Sequence, residues 1–217
     1  MIVARNNFTN AQSLAQRLAV NVTSSLRQAV AGSGKAILAV SGGTTPQKFF
    51  EHLSRQKLSW SQVTITLIDE RQVDETSPRS NSRLVKAALI QNEAATANFV
   101  PLFQNPYAAD LPNFDVAILG MGDDGHTASF FPGGDTLAEA LSPSAPPLLA
   151  ISAPGSGEPR LTFSLAKILN SREIILHIQG ADKAATLEKA LGQGDVLEMP
   201  VRAVLRSPKQ IEVYWCP

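Results

Sequence analysis

Four polar clusters, each closing a short apolar run, constrain this chain more than any other feature. They are "SGGTTP" (41–46), "DER" (69–71), "GMGDDGH" (120–126) and "QGADK" (179–183). The runs before them are "AILAV" (36–40), "VTITLIDE" (63–70), "DVAILG" (115–120) and "EIILHIQG" (173–180). Short runs with so little polar alternation read as strands buried on both faces of a sheet. Between them lie stretches with helical spacing. Strands that alternate with helices predict a mostly parallel sheet covered on both sides. The carboxyl ends of such strands open onto the ligand crevice, so the four clusters are expected to meet at one edge.

The helices are legible from their spacing and caps. Over 10–31, Leu14, Leu18, Val22, Leu26 and Val30 recur every fourth residue. Thr9 or Asn10 can cap the start, and "GSG" (32–34) ends it. "QKFFEHL" (47–53), "SNSRLVKAALI" (80–90, with Ser80 as N-cap) and "ADKAATLEKAL" (181–191) follow the same logic. "PLLAIS" (147–152) and "IEVYW" (211–215) read as further strands. "RLTFSLAKIL" (160–169) reads as a short strand running into a short helix. No internal repeat or long linker interrupts the pattern, and residues 1–217 are read as one α/β domain.

Composition narrows the ligand. Nineteen Lys and Arg balance nineteen Asp and Glu, so the formal net charge is zero. That excludes nucleic-acid binding driven by bulk charge. An anionic ligand must be held by a few well-placed cations. The single cysteine, Cys216, leaves no disulfide within the chain and suits a reducing compartment. "MIVARNNFTN" lacks the apolar stretch of a signal peptide, and no apolar run nears the roughly 20 residues that span a bilayer. The expectation is a soluble cytoplasmic protein with neither a nucleic-acid nor a membrane partner.

Each cluster carries its own chemistry. In "SGGTTP", Gly42 and Gly43 free backbone N–H groups for an anion, and Thr44 and Thr45 add hydroxyl donors. It is not a P-loop, because no Gly-Lys-Ser/Thr follows. Read alone, it serves equally as a tight strand–helix turn with a Thr cap. In "DER", Arg71 can pair with phosphate or carboxylate, and Asp69 can orient a base; a solvated loop is the bland reading. In "GMGDDGH", His126 has the side chain best suited to general-base work near neutral pH. Asp123 or Asp124 can orient its ring. His52 and His177, on a helix and within a strand, read as structural. No pair of histidines has zinc-site spacing, and "AVSGG" lacks the flanking glycine of a nucleophile elbow. Lys183 opposes the helix dipole in a first turn unless an anion sits there. Arg160, in "GEPRLTF", can reach the same crevice.

"LAVSGGTTPQKFF", "LIDERQV…SN", "LGMGDDGHTASFFPG", "PRLTFSL" and "GADKA" occur in this order. As a set they resemble the 6-phosphogluconolactonase family, within a wider group that includes glucosamine-6-phosphate deaminase. The resemblance implies a Rossmann-like three-layer α/β/α sandwich, in agreement with the strand reading. It also implies hydrolysis of a sugar-phosphate lactone to 6-phosphogluconate, with neither metal nor organic cofactor. By motif, His126 matches the catalytic base and Asp124 the aspartate two residues before it. Gly42, Gly43 and Thr44 match the substrate loop. Arg71, Arg160 and Lys183 match cationic positions for a phosphate or carboxylate, and Asp69 and Asn81 match polar positions of the site. Deaminase relatives typically carry tyrosine after "DE" and glutamate five residues after the histidine, where this chain has Arg71 and Phe131. Two alternatives remain beside the lactonase: a deaminase/isomerase-like enzyme, and a sugar-phosphate-binding module without turnover.

Overall fold

The computed structural model describes residues 2–154 and 156–217. In chain order its elements are β1 (Ile2–Asn7), α1 (Ala11–Ser33), β2 (Ala36–Val40), α2 (Gln47–Leu53), β3 (Val63–Leu67) and β4 (Asp69–Arg71). Then come α3 (Asn81–Ala88), β5 (Asn98–Val100), β6 (Val116–Leu119), α4 (Leu137–Ala140), β7 (Leu148–Ile151) and β8 (Arg160–Phe163). The chain ends with α5 (Leu165–Leu169), β9 (Glu173–Gln179), α6 (Ala181–Leu191), α7 (Val201–Leu205) and β10 (Gln210–Cys216). The expected α/β class and mostly parallel sheet are borne out. Seven strands in the order β1-β10-β9-β6-β2-β3-β5 pair parallel throughout.

Every residue of β2 and β6 is buried, so both faces of the sheet centre are covered. Helices α1 and α2 pack together, and α6 packs with α7. The sheet lies between these two helical layers. The caps account for the start and stop of α1. The Asn10 side chain accepts from the Ser13 N–H, and Gly34, left-handed at φ 76°, returns its N–H to the Val30 carbonyl. Leu14, Leu18, Val22 and Leu26 line the buried stripe of that helix. Ser80 caps α3 as expected. No helix among the described residues is long and apolar enough to cross a membrane.

Two strand expectations need correction. "VTITLIDE" is not one strand. It breaks at Ile68, whose N–H donates to Val40 while its carbonyl accepts from Phe163. That residue hands the chain from the large sheet to a separate one. The second sheet, β4-β8-β7, is antiparallel. "PLLAIS" and "RLTF" therefore pair outside the parallel sheet. The two edge strands, β1 and β5, carried no strand signal. Each is covered by one neighbour only, so polar residues such as Arg5, Asn7 and Asn98 are tolerated there. The short helices α4 and α7 also escaped the periodicity reading.

Chain order places the crevice. From β2 the chain moves outward to β3 and β5, then returns to lay β6 on the other side of β2. The reversal between β2 and β6 is where an open parallel sheet opens a ligand site. "SGGTTP" and "GMGDDGH" follow those two strands.

Candidate active site

The two central loops are tied to each other. The Ser41 N–H donates to the Ile118 carbonyl at 2.9 Å, and the Gly120 N–H donates to Ser41 Oγ at 3.3 Å. Gly42 and Gly43 then turn the chain, Gly43 at φ 93°. A Cβ at Gly42 would overlap the Asn81 amide, so only glycine lets that side chain approach. Asn81 Nδ2 donates to the Asp69 carbonyl at 2.9 Å. Among the described residues the N–H groups of Gly42, Gly43 and Thr44 have no protein acceptor. A turn of unpaired amides beside a helix start suits an anion.

His126 is held by its own turn. Gly122 donates its N–H to the His126 carbonyl at 2.8 Å, and Gly125 donates to the Gly122 carbonyl at 3.1 Å. A Cβ at Gly122 would overlap the imidazole, so the glycine makes room for the ring. Asp124 Oδ1 lies 2.6 Å from His126 Nδ1 and also accepts the His126 N–H at 3.0 Å. The hydrogen bond from His126 holds the Asp124 carboxyl at about 2, with partial burial opposing. An ionised carboxylate at Nδ1 favours the tautomer protonated there and leaves the Nε2 lone pair free. Asp123 points elsewhere: its Oδ1 pairs with Lys183 Nζ at 2.9 Å. Of the carboxylates named from the sequence, Asp124 is the one on the imidazole. Lys183 has found its first-turn anion in Asp123.

The opposite wall comes from the small sheet. Arg71 on β4 and Arg160 on β8 are direct cross-strand partners, so two cations share one face. Like charges in that position are destabilising. Arg71 Nη1 donates to the Arg79 carbonyl at 2.5 Å, and Arg160 Nη2 to the Ser156 carbonyl at 3.0 Å. Asp69 Oδ2 stands 3.9 Å from Arg160 Nη1 and accepts from Ser129 Oγ at 2.5 Å. Asp69 therefore sits beside the arginines and does not orient His126. Burial pushes the Arg160 pKa down; Asp69 opposes the shift, and Arg71 and Arg79 add to it. Among the described residues the Nε atoms of both Arg71 and Arg160 are buried without a partner.

Three contributors were not expected from the sequence. Glu70 is 1 % exposed and accepts from the N–H groups of Arg71, Asn81 and Ser82 and from Ser80 Oγ. It joins β4 to the start of α3, which fixes Asn81 under the glycine loop. His177 lines the cavity, is 2 % exposed, and has a buried Nδ1 without a partner among the described residues; burial lowers its pKa to about 4. Its position near the carboxyl end of β9, two residues before Gln179, was the available signal. Ser129 anchors Asp69.

The site surrounds one cavity of about 320 Å³. Gly42, Gly43, Thr44, Asp69, Arg71, Asn81, His126, Arg160 and Lys183 line it, and Asp124 stands behind His126. Among the described residues no three His, Cys, Asp or Glu side chains group to hold a metal ion. The arrangement offers an imidazole with a free nitrogen, unpaired backbone donors and three cations around a space the size of a small metabolite.

Known proteins resemble this chain in sequence and in fold. The family model described as "Glucosamine-6-phosphate isomerases/6-phosphogluconolactonase" matches residues 9–215. A 6-phosphogluconolactonase of Rhizobium meliloti is 46 % identical, covering 97 % of this chain and 97 % of the relative. One from Mesorhizobium japonicum is 47 % identical, covering 98 % and 94 %. The crystal structure of a 6-phosphogluconolactonase from Shewanella baltica superposes with a TM-score of 0.95 at 40 % identity, covering 99 % of this chain and 98 % of that one. Agreement in sequence and fold over nearly the whole length means that the chain belongs to the glucosamine-6-phosphate isomerase/6-phosphogluconolactonase family.

Proposed function

We propose that this protein hydrolyses 6-phospho-D-glucono-1,5-lactone to 6-phosphogluconate, with His126 as the general base. The observation that carries the reading is the His126–Asp124 pair. One imidazole nitrogen is fixed by a carboxylate at 2.6 Å, and the other is free on a cavity lined with anion donors. The names of the relatives support the substrate class.

A lactone is a cyclic ester, and its hydrolysis begins with water attacking the carbonyl carbon. His126 Nε2 takes a proton from that water as the new C–O bond forms. Asp124 stays ionised and steadies the imidazolium. Negative charge develops on the carbonyl oxygen, where a backbone N–H or an arginine of the opposite wall can meet it. Collapse of the tetrahedral intermediate breaks the bond from C1 to the ring oxygen. The imidazolium returns its proton to that oxygen, which leaves as the C5 hydroxyl. The new carboxylic acid ionises in solution. The phosphate is held by the Gly42–Gly43–Thr44 turn and by cations from Arg71, Arg160 and Lys183, so orientation is set before chemistry. Asp69 holds Arg160 in place, and Asn81 supports the turn. Phe131, five residues after His126, brings no carboxylate for the ring opening that amino-sugar isomerisation needs.

The test is a direct assay on freshly prepared phosphorylated lactone, corrected for its spontaneous hydrolysis. Turnover well above the uncatalysed rate is expected. Tight binding without turnover would favour a silent sugar-phosphate-binding module instead.

A further inference from the structure

The base and one of the cations belong to different sheets, and one aromatic ring touches both. His126 follows β6 of the large sheet, whereas Arg160 lies on β8 of the small one. The Phe131 ring centroid is 4.3 Å from that of His126, with 35° between the planes. The Arg160 guanidinium carbon is 5.1 Å from the same centroid. We propose that Phe131 is a positioning residue, which fixes the plane of the His126 imidazole and its register to Arg160. The proposal rests on the hydrolytic reading of this site.

The physical case begins with what the other contacts leave undone. Asp124 binds His126 at one ring atom, which fixes a point but not the plane of the ring. Gly122 offers no side chain on its side. The Phe131 face supplies the missing restraint. A cation over an aromatic face is also attracted to it, which keeps the Arg160 guanidinium beside the ring.

Phe131 can do this because its own segment is pinned. Thr127 Oγ1 donates to the Gly120 carbonyl at 2.7 Å, and Ser129 Oγ donates to Asp69 at 2.5 Å. Phe130 is fully buried in the core. Ala128 sits in the left-handed region at φ 51°, a conformation that a non-glycine residue keeps only when its surroundings impose it. The segment thus ties the base loop, the small sheet and the core together, with the Phe131 ring against both base and cation.

The experiment compares kcat and KM for wild type, Phe131→Leu and Phe131→Tyr, with Phe131→Met as a second non-aromatic variant of similar size. Thermal unfolding identifies which variants are folded. Misplacing a reacting group by about 1 Å can cost on the order of 100-fold. Here a partial loss is expected, with kcat lower by roughly 10-fold and KM raised for the non-aromatic variants, and with Phe131→Tyr close to wild type. The same leucine or methionine substitution is then placed in His126→Ala, at enzyme concentrations where residual turnover exceeds spontaneous hydrolysis. If Phe131 acts through His126, it should change the residual kcat by less than about twofold, because coupled residues are not additive. An equal loss in both backgrounds, or a folded Phe131→Tyr as poor as leucine, would overturn the assignment. A wild-type protein without lactone turnover would instead defeat the hydrolytic reading on which it rests.

Discussion

The two walls of the cavity are built by different means. On the first, Gly42 and Gly43 line the cavity together with His126, and the base is assembled within one short turn: Gly122, Asp124 and His126. Its parts are backbone groups and a locally made ion pair, so they ask little of the distant fold. On the second, Arg71 and Arg160 are brought opposite each other by strand pairing. Opposed like charges work against the fold, and Asp69 offsets them only from 3.9 Å. The first wall stores a lone pair; the second stores positive potential that an anion would relieve. The base on the first wall should govern turnover, and the arginines of the second, together with the glycine turn, should govern which substrates are held.

The largest effect is expected on the first wall. His126→Ala should lower kcat by roughly 10²–10⁴-fold, the range for a lost general base, with the thermal midpoint little changed because the ring faces the cavity. A folded variant with near-wild-type turnover would erase the distinction between the walls.

The second wall gives the next effect. Arg71→Ala or Arg160→Ala should weaken phosphorylated lactone relative to the unphosphorylated lactone by about 10–150-fold, the equivalent of ~1.5–3 kcal/mol for a charged hydrogen bond. Competition between the two lactones measures that ratio directly. Equal losses on both would move the arginine from substrate recognition to the support of the reaction centre.

An effect on stability, not on turnover, sharpens the comparison at a third residue of the cavity. Burial lowers the His177 pKa from 6.5 to about 4. Between those values the unfolded chain binds a proton at His177 and the folded chain does not. Its contribution to stability is therefore present above about pH 6.5 and lost as pH falls toward about 4, by ~1.4 kcal/mol per pH unit. Urea unfolding across that window should show a shallower slope for His177→Gln than for wild type. Equal slopes would mean that the folded protein accommodates a charged His177.

What could be read beforehand follows the same division. The first wall was legible because turn chemistry is local: "SGGTT" and "DDGH" carry their glycines, donors and base side by side. The central strands were legible because burial on both faces leaves them uniformly apolar. The second wall was not legible as a structure. The break at Ile68 has no composition signal, since Ile68 is as apolar as the strand before it. The pairing of Arg71 with Arg160 depends on a contact between distant segments. Glu70 looked like one more charge in "DER", and only the fold shows three backbone N–H groups and a hydroxyl converging on it. The choice among Asp69, Asp123 and Asp124 also needed coordinates, because all three follow strands that end at the same edge.

The central claim is that His126 carries the proton, and the pH dependence of turnover tests it most directly. The rate on phosphorylated lactone is measured in wild type and in His126→Ala, with spontaneous hydrolysis subtracted at each pH. Asp124, held at about 2, remains ionised throughout the range in which imidazoles titrate. The wild-type kcat should decline along a single acid limb as pH falls, the signature of a general base. In His126→Ala the residual rate should lack that limb. The same limb, unchanged in the variant, would show that another group takes the proton.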